Sequence, residues 1–142
     1  MTSPTLAIEH RAPRPALTTS RRLLIALEAL IAVNAAGGGI YGLAGAKGVP
    51  REWLEGSPFD SYVIPSLFLL AVVGGGMLVA LGLLVRGHRR SAEASLAAGL
   101  VLLGWIAVEV AIIPFSWLQP VFAALALAVV ALAARLRRHD RP

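Results

Sequence analysis

The chain has 142 residues and a formal charge of +5, from 13 basic and 8 acidic side chains. Hydrophobic residues make up 57% and charged residues 15%, and mean hydropathy is +0.74; globular proteins average about 45–50% and about 25%. A soluble bundle this short has too small a core to hide so many apolar faces, so the composition points to an integral membrane protein. The arginines stand at the ends of apolar runs and not in a basic helix with interleaved aromatics, which argues against nucleic acid as a partner. With no cysteine, thiol redox chemistry, iron–sulfur ligation and disulfides are excluded.

In chain order, residues 1–22 are polar, are punctuated by Pro4, Pro13 and Pro15, and are expected to form a disordered basic cytoplasmic tail. Four apolar runs follow, at about 23–45, 62–85, 94–113 and 118–134. Each is near the ~20 residues needed to cross a ~30 Å hydrocarbon layer. Backbone groups in lipid must be satisfied within the segment, so the expected fold class is all-α, a bundle of four transmembrane helices spanning residues 23–136. Between the first two, Pro50 is placed to open a short helix, Glu52 to occupy its first turn and Gly56 to close it, with Trp53 at headgroup level. Pro65 falls in the first turn of the second helix, where a missing N–H costs least. Ser91 is a candidate N-cap for the third helix, with Glu93 in its first turn. Pro114 and Pro120 bracket a tight hairpin, and residues 137–142 form a second basic tail.

Basic residues set the expected orientation. Arg11, Arg14, Arg21 and Arg22 precede the first helix; Arg86, Arg89 and Arg90 lie between the second and third; Arg135, Arg137, Arg138 and Arg141 end the chain. Only Lys47 and Arg51 fall on the other side. Both termini are therefore expected in the cytoplasm, in a multi-pass protein of the bacterial cell membrane. Ser20-Arg21-Arg22-Leu23-Leu24 is similar to a twin-arginine signal, with Ala44-Gly45-Ala46 as a cleavage site. Yet the apolar run exceeds the usual ~7–15 residues and contains Glu28 and Asn34, which favours a retained helix.

Small residues are candidate packing positions, because they let helix backbones approach closely in lipid. These are Asn34, Gly38, Gly42 and Gly45 on the first helix, Ala71, Gly75 and Gly82 on the second, and Ala124, Ala128 and Ala131 on the fourth. They could serve the bundle itself, a homo-oligomer, or a larger membrane partner.

Two carboxylates lie inside the membrane, where each needs a partner or a purpose. Glu28 is about five residues in from the basic end, or roughly 8 Å, and Glu109 about four residues in from the other, so the two cannot form one acid/base or metal dyad. Glu28 is expected to pair with Arg21, Arg86 or Arg135, with proton or ion handling as the alternative. Glu109 is expected either to contact Tyr62 or Gln119 as a structural carboxyl or to anchor a ligand. All nine Phe, Trp and Tyr residues fall at the outer surface, in the outer half, or near the midplane. Besides an interfacial belt, this suggests an outward-facing pocket walled by Trp105, Trp117 and Tyr62, with Gln119 nearby and Glu109 as its polar group.

His10, His88 and His139 lie in the polar segments, so no intramembrane haem or zinc ligand set is present. No phosphate loop or serine nucleophile motif occurs. A non-enzyme without cofactor is expected.

The segments Trp53-Leu54-Glu55-Gly56-Ser57-Pro58-Phe59-Asp60-Ser61-Tyr62-Val63-Ile64-Pro65, Gly74-Gly75, Gly104-Trp105-Ile106 and Ser116-Trp117-Leu118-Gln119-Pro120 resemble a group of small, uncharacterised four-helix integral membrane proteins of actinobacteria. The resemblance covers about residues 23–136 and implies the fold without an activity. The expected function is that of a non-enzymatic accessory or assembly protein acting through the small-residue faces. The alternative is a small oligomeric transporter or solute-binding protein using the Glu109 pocket, with Asn34 extending a polar route toward Glu28.

Overall fold

The structure is a computed structural model that describes residues 15–141. Four helices, α1 (Pro15–Leu43), α2 (Val63–Val85), α3 (Ser91–Ile112) and α4 (Leu118–Asp140), are each long and apolar enough to cross a membrane. They run up and down with short connections. α1 packs on α2, α2 on α3, α3 on α4, and α4 closes back on α1. This connectivity gathers the start of α1, the 86–90 turn and the end of α4 at one pole, the basic end. The long 44–62 loop and the 113–117 turn lie at the other, the aromatic end. Val33, Ile40, Val79 and Leu127 are more than half exposed, as lipid-facing positions would be.

α1 begins eight residues before the apolar run. The part of the expected tail before Pro15 lies outside the described residues, and residues 15–22 are helical instead. Pro15 suits a first helical position, where its missing N–H is unused. Leu17 packs against the core, Ser20 is buried, and Arg21 donates to the Leu84 carbonyl at the end of α2. α4 likewise runs on to Asp140, through most of the expected tail. Leu136 is buried, and Arg137, Arg138 and His139 fill its last turn, where positive charge complements the helix dipole. Arg137 also approaches Glu93 at 3.9 Å.

Helices α1 and α2 end alike. Gly45 (φ 105°) and Gly87 (φ 67°) take left-handed conformations, and the next N–H reaches back five residues, Ala46 to Tyr41 O and His88 to Leu83 O. That is a Schellman ending, which favours glycine. Gly45 therefore closes α1 and is not a packing residue. The loop beyond it carries the expected short turn, a 3₁₀ helix at Arg51–Leu54 preceded by Pro50. Ser91 is the first helical residue of α3 and caps nothing; the Arg90 N–H is taken by His88 Nδ1 at 3.1 Å.

The core is a stripe from each helix. On α1 it runs through Ser20, Leu24, Glu28, Ile31, Ala35, Gly39 and Gly42, spaced by three or four residues as one helical face requires. Val73, Met77, Ala80 and Leu84 answer it from α2, Ala98, Leu102 and Ile106 from α3, and Ala126, Val129 and Ala133 from α4. α1 and α2 cross most closely at glycines. A Cβ on Gly39 would lie 2.6 Å from Leu70 Cβ, and one on Gly42 2.8 Å from Ser66 Cβ. Gly99 of α3 similarly faces Val129 and Val130 of α4.

Several expected packing positions do not pack within the chain. A Cβ on Gly75 or Gly82 would meet nothing within 4 Å, and Ala71, Ala124 and Ala131 are exposed. In α2, whose Leu69–Gly74 stretch is π-helical, the inward stripe is Val73, Met77, Ala80 and Leu84, a different face from that of Ala71, Gly75 and Gly82. In α4 the buried alanines are Ala126 and Ala133, on a different face from the triplet chosen by spacing.

Candidate functional site

Toward the aromatic end the helices enclose a cavity of about 270 Å³. All four contribute. α1 supplies Ile31, Asn34, Ala35 and Gly38, and α2 supplies Leu69 and Val73 from its π segment. α3 supplies Leu102, Trp105, Ile106 and Glu109, and α4 opens onto it with Leu118 and Phe122. The space exists because small residues line α1 there: Gly38 has no side chain, and a Cβ on it would meet Leu69 Cδ2 at 3.1 Å.

The lining is apolar apart from three side chains. Glu109, half-buried, carries the one formal charge. One turn away on the same face of α3, the Trp105 indole N–H lies beside that carboxylate. It is buried and makes no hydrogen bond among the described residues. The indole stacks on Phe68, with ring centroids 4.8 Å apart. Asn34 directs an amide N–H to Leu30 O at 2.8 Å, within its own helix.

The other expected pocket residues divide. Tyr62 borders a second, small cavity of about 30 Å³ that shares Trp105 and Glu109 with the first. Its hydroxyl donates to Pro50 O at 2.6 Å, and burial pushes the phenol above its ordinary range. Trp117 is no wall of either cavity. It is 80% exposed and meets Phe115 edge-on at 5.9 Å, because the 113–117 turn carries it past the helix ends. Gln119 is buried, but its Oε1 accepts from the Ser116 N–H at 3.2 Å, so it closes that turn and borders a separate groove beside Phe115. Phe122 takes the aromatic place on the lining that spacing gave to Trp117, and Phe68 contributes only by its stack on Trp105.

Glu28 stands apart. It is fully buried, and neither carboxylate oxygen has a hydrogen-bond partner among the described residues. Its polar neighbour is the Ser95 hydroxyl of α3. The expected arginine pair is not formed: Arg21, seven residues nearer the basic end, turns to Leu84 O instead. By helix position Ile31 and Leu102, both nearly fully buried, lie between Glu28 and the cavity. A continuous polar route from Glu109 through Asn34 to Glu28 is therefore interrupted by packed hydrocarbon.

Among the described residues, no three His, Asp or Glu side chains cluster in a way that could hold a metal. One further surface stands out. The open glycines Gly75 and Gly76 of α2, with Val79, face Ala94, Ala97 and Val101 of α3 across a shallow groove on the outside of the bundle.

No protein family, curated protein or solved structure matches this chain.

Proposed function

We propose that the protein is a multi-pass solute-binding protein of the bacterial cell membrane, with its basic end in the cytoplasm and its cavity toward the outer leaflet. The observation that carries this reading is Glu109, a carboxylate half-buried in an apolar cavity with no basic residue on its lining among the described residues. Charged groups placed this way in a membrane span mark ligand or ion sites by default. The orientation rests on the arginines gathered at one pole. Alkaline-phosphatase fusions after Ser57 or Ser116 are then active and a fusion after Arg89 inactive. Binding is tested by thermal unfolding of the whole protein in nanodiscs against a panel of amphiphiles. A stabilising compound is expected, with its effect lost in Glu109→Gln and kept in Glu28→Gln. A panel without any effect overturns the reading.

The second reading is a non-enzymatic accessory protein that assembles laterally through α2 and α3. It is favoured by Gly75, Gly76 and Gly82, which meet nothing inside the bundle although glycine costs about 1 kcal/mol against alanine in a helix. With no native cysteine, an Ala97→Cys variant gives one crosslinking site in native membranes. A product of twice the 14.9 kDa chain signals a second copy, and a larger product a different membrane protein. A chain that stays monomeric counts against assembly.

A further inference from the structure

We propose that the Glu109 cavity takes a hydrophobic organic cation, an ammonium group on a small apolar body, and that this ligand arrives sideways from the bilayer between α1 and α4. The proposal rests on the solute-binding reading above and adds the ligand's chemistry and its route.

The charge comes first. Among the described residues, no Arg, Lys or His lines the cavity, and its one charged side chain is Glu109. A carboxylate walled by hydrocarbon lacks the solvation that water gives it, and a counter-charge restores the loss. An anionic ligand would add repulsion, and a neutral one would leave the carboxylate unmatched. Trp105 and Phe122 on the same lining suit a cation further, because the face of an aromatic ring attracts positive charge. Trp105 is held in place for this by its stack on Phe68.

Size and access follow. About 270 Å³ falls just below the ~300–1,000 Å³ usual for drug-sized ligands. A compact headgroup fits, and any longer tail must remain outside. The mouth is lateral. Asn34 and Gly38 of α1 and Leu118 of α4 line the cavity and are also exposed on the outside of the bundle. In a membrane that flank meets acyl chains, so a ligand reaching it is an amphiphile whose tail stays in lipid.

The test uses the full chain in nanodiscs, with Trp53→Phe and Trp117→Phe so that Trp105 alone reports. The probes are octyltrimethylammonium, octanol and octyl sulfate. A saturable change in Trp105 emission is expected with the ammonium only. Its affinity should be at least tenfold weaker in Glu109→Gln and unchanged in Glu28→Gln. Gly38→Leu keeps the carboxylate but fills the mouth, and it should also abolish the response, which decides the matter if Glu109→Gln fails to fold. If octanol saturates as tightly as the ammonium and Glu109→Gln binds normally, the cation proposal is overturned while solute binding stands. If no probe gives a saturable change but other amphiphiles stabilise the protein, the cation proposal alone falls. If nothing binds at all, both fall.

Discussion

The two halves of the bundle each bury one carboxylate and treat it oppositely. Around Glu28 the helices close completely: the side chain is fully buried on the stripe of Leu24, Ile31 and Ala35, with Ser95 as its polar neighbour. Around Glu109 they part, leaving a cavity that reaches the outside between α1 and α4. Both residues are glutamates about one turn inside an apolar run. What distinguishes them is whether neighbouring helices leave room for a second molecule. A membrane carboxyl therefore marks a site only together with the packing around it, and on that ground Glu109, beside open space, is the residue proposed to bind a ligand, whereas Glu28 is part of the core.

The largest effect should come from reversing the charge at each position. Glu28→Lys puts a longer cation where no acceptor but Ser95 stands, a loss on the order of 3–5 kcal/mol or failure to fold. Glu109→Lys has cavity space to occupy and should stay within about 1 kcal/mol of the parent. Glu28→Leu, which removes the unpaired polar group at similar volume, should be neutral or stabilising. Unfolding in a denaturing detergent titration ranks the three. Equal losses for the two lysine variants would erase the contrast between the halves.

A middle-sized effect separates filled from open glycines. Gly39→Ala sets a methyl 2.6 Å from Leu70 Cβ and 3.0 Å from the Ser66 carbonyl, and the overpacking should cost about 1–3 kcal/mol. Gly76→Ala meets nothing and should gain about 0.5–1 kcal/mol from helix propensity. The same titration reads both. A loss at Gly76 in membranes, absent from the isolated chain in detergent, would instead reveal a helix packed against that face.

The four helices and their up-and-down order were legible because long apolar runs in lipid have few structural options. The short turn after Pro50 was legible too, from proline and glycine alone. Faces were harder. Spacing grouped Ala71, Gly75 and Gly82 on one face of the second helix, but a shared face does not say which way it turns, and the neighbouring helices took the stripe of Val73, Met77 and Ala80 instead. Trp105 and Glu109 were found together because they sit one turn apart on one helix. Phe68 and Phe122 come from other helices, and their approach depends on crossings that no local spacing encodes. Trp117 and Gln119, bracketed by Pro114 and Pro120, belong to the turn those prolines make. Arg21 paired with a helix-end carbonyl because its long side chain reaches the bundle end more easily than a carboxylate two turns deeper.

The smallest effect concerns the boundary between the cavity and the 44–62 loop. Tyr62 ties that loop down through its hydrogen bond to Pro50 O at 2.6 Å, while its ring borders the small cavity beside Glu109. Tyr62→Phe keeps the ring and removes the hydroxyl, so it should cost about 0.5–1.5 kcal/mol, felt locally at the loop. Because burial pushes the phenol of Tyr62 up, the folded loop favours the protonated form. Its contribution is fully present below the ordinary tyrosine pKa of about 10 and is lost as pH rises through the higher folded value. Trp53, on the 3₁₀ turn of the same loop, can report this in a chain carrying Trp105→Phe and Trp117→Phe. Its emission should shift toward that of a water-exposed indole above about pH 10, and Tyr62→Phe should show the shift already at neutral pH with little further change. An alkaline shift of equal size in both proteins would assign it to another group and leave Tyr62 a spectator at the rim.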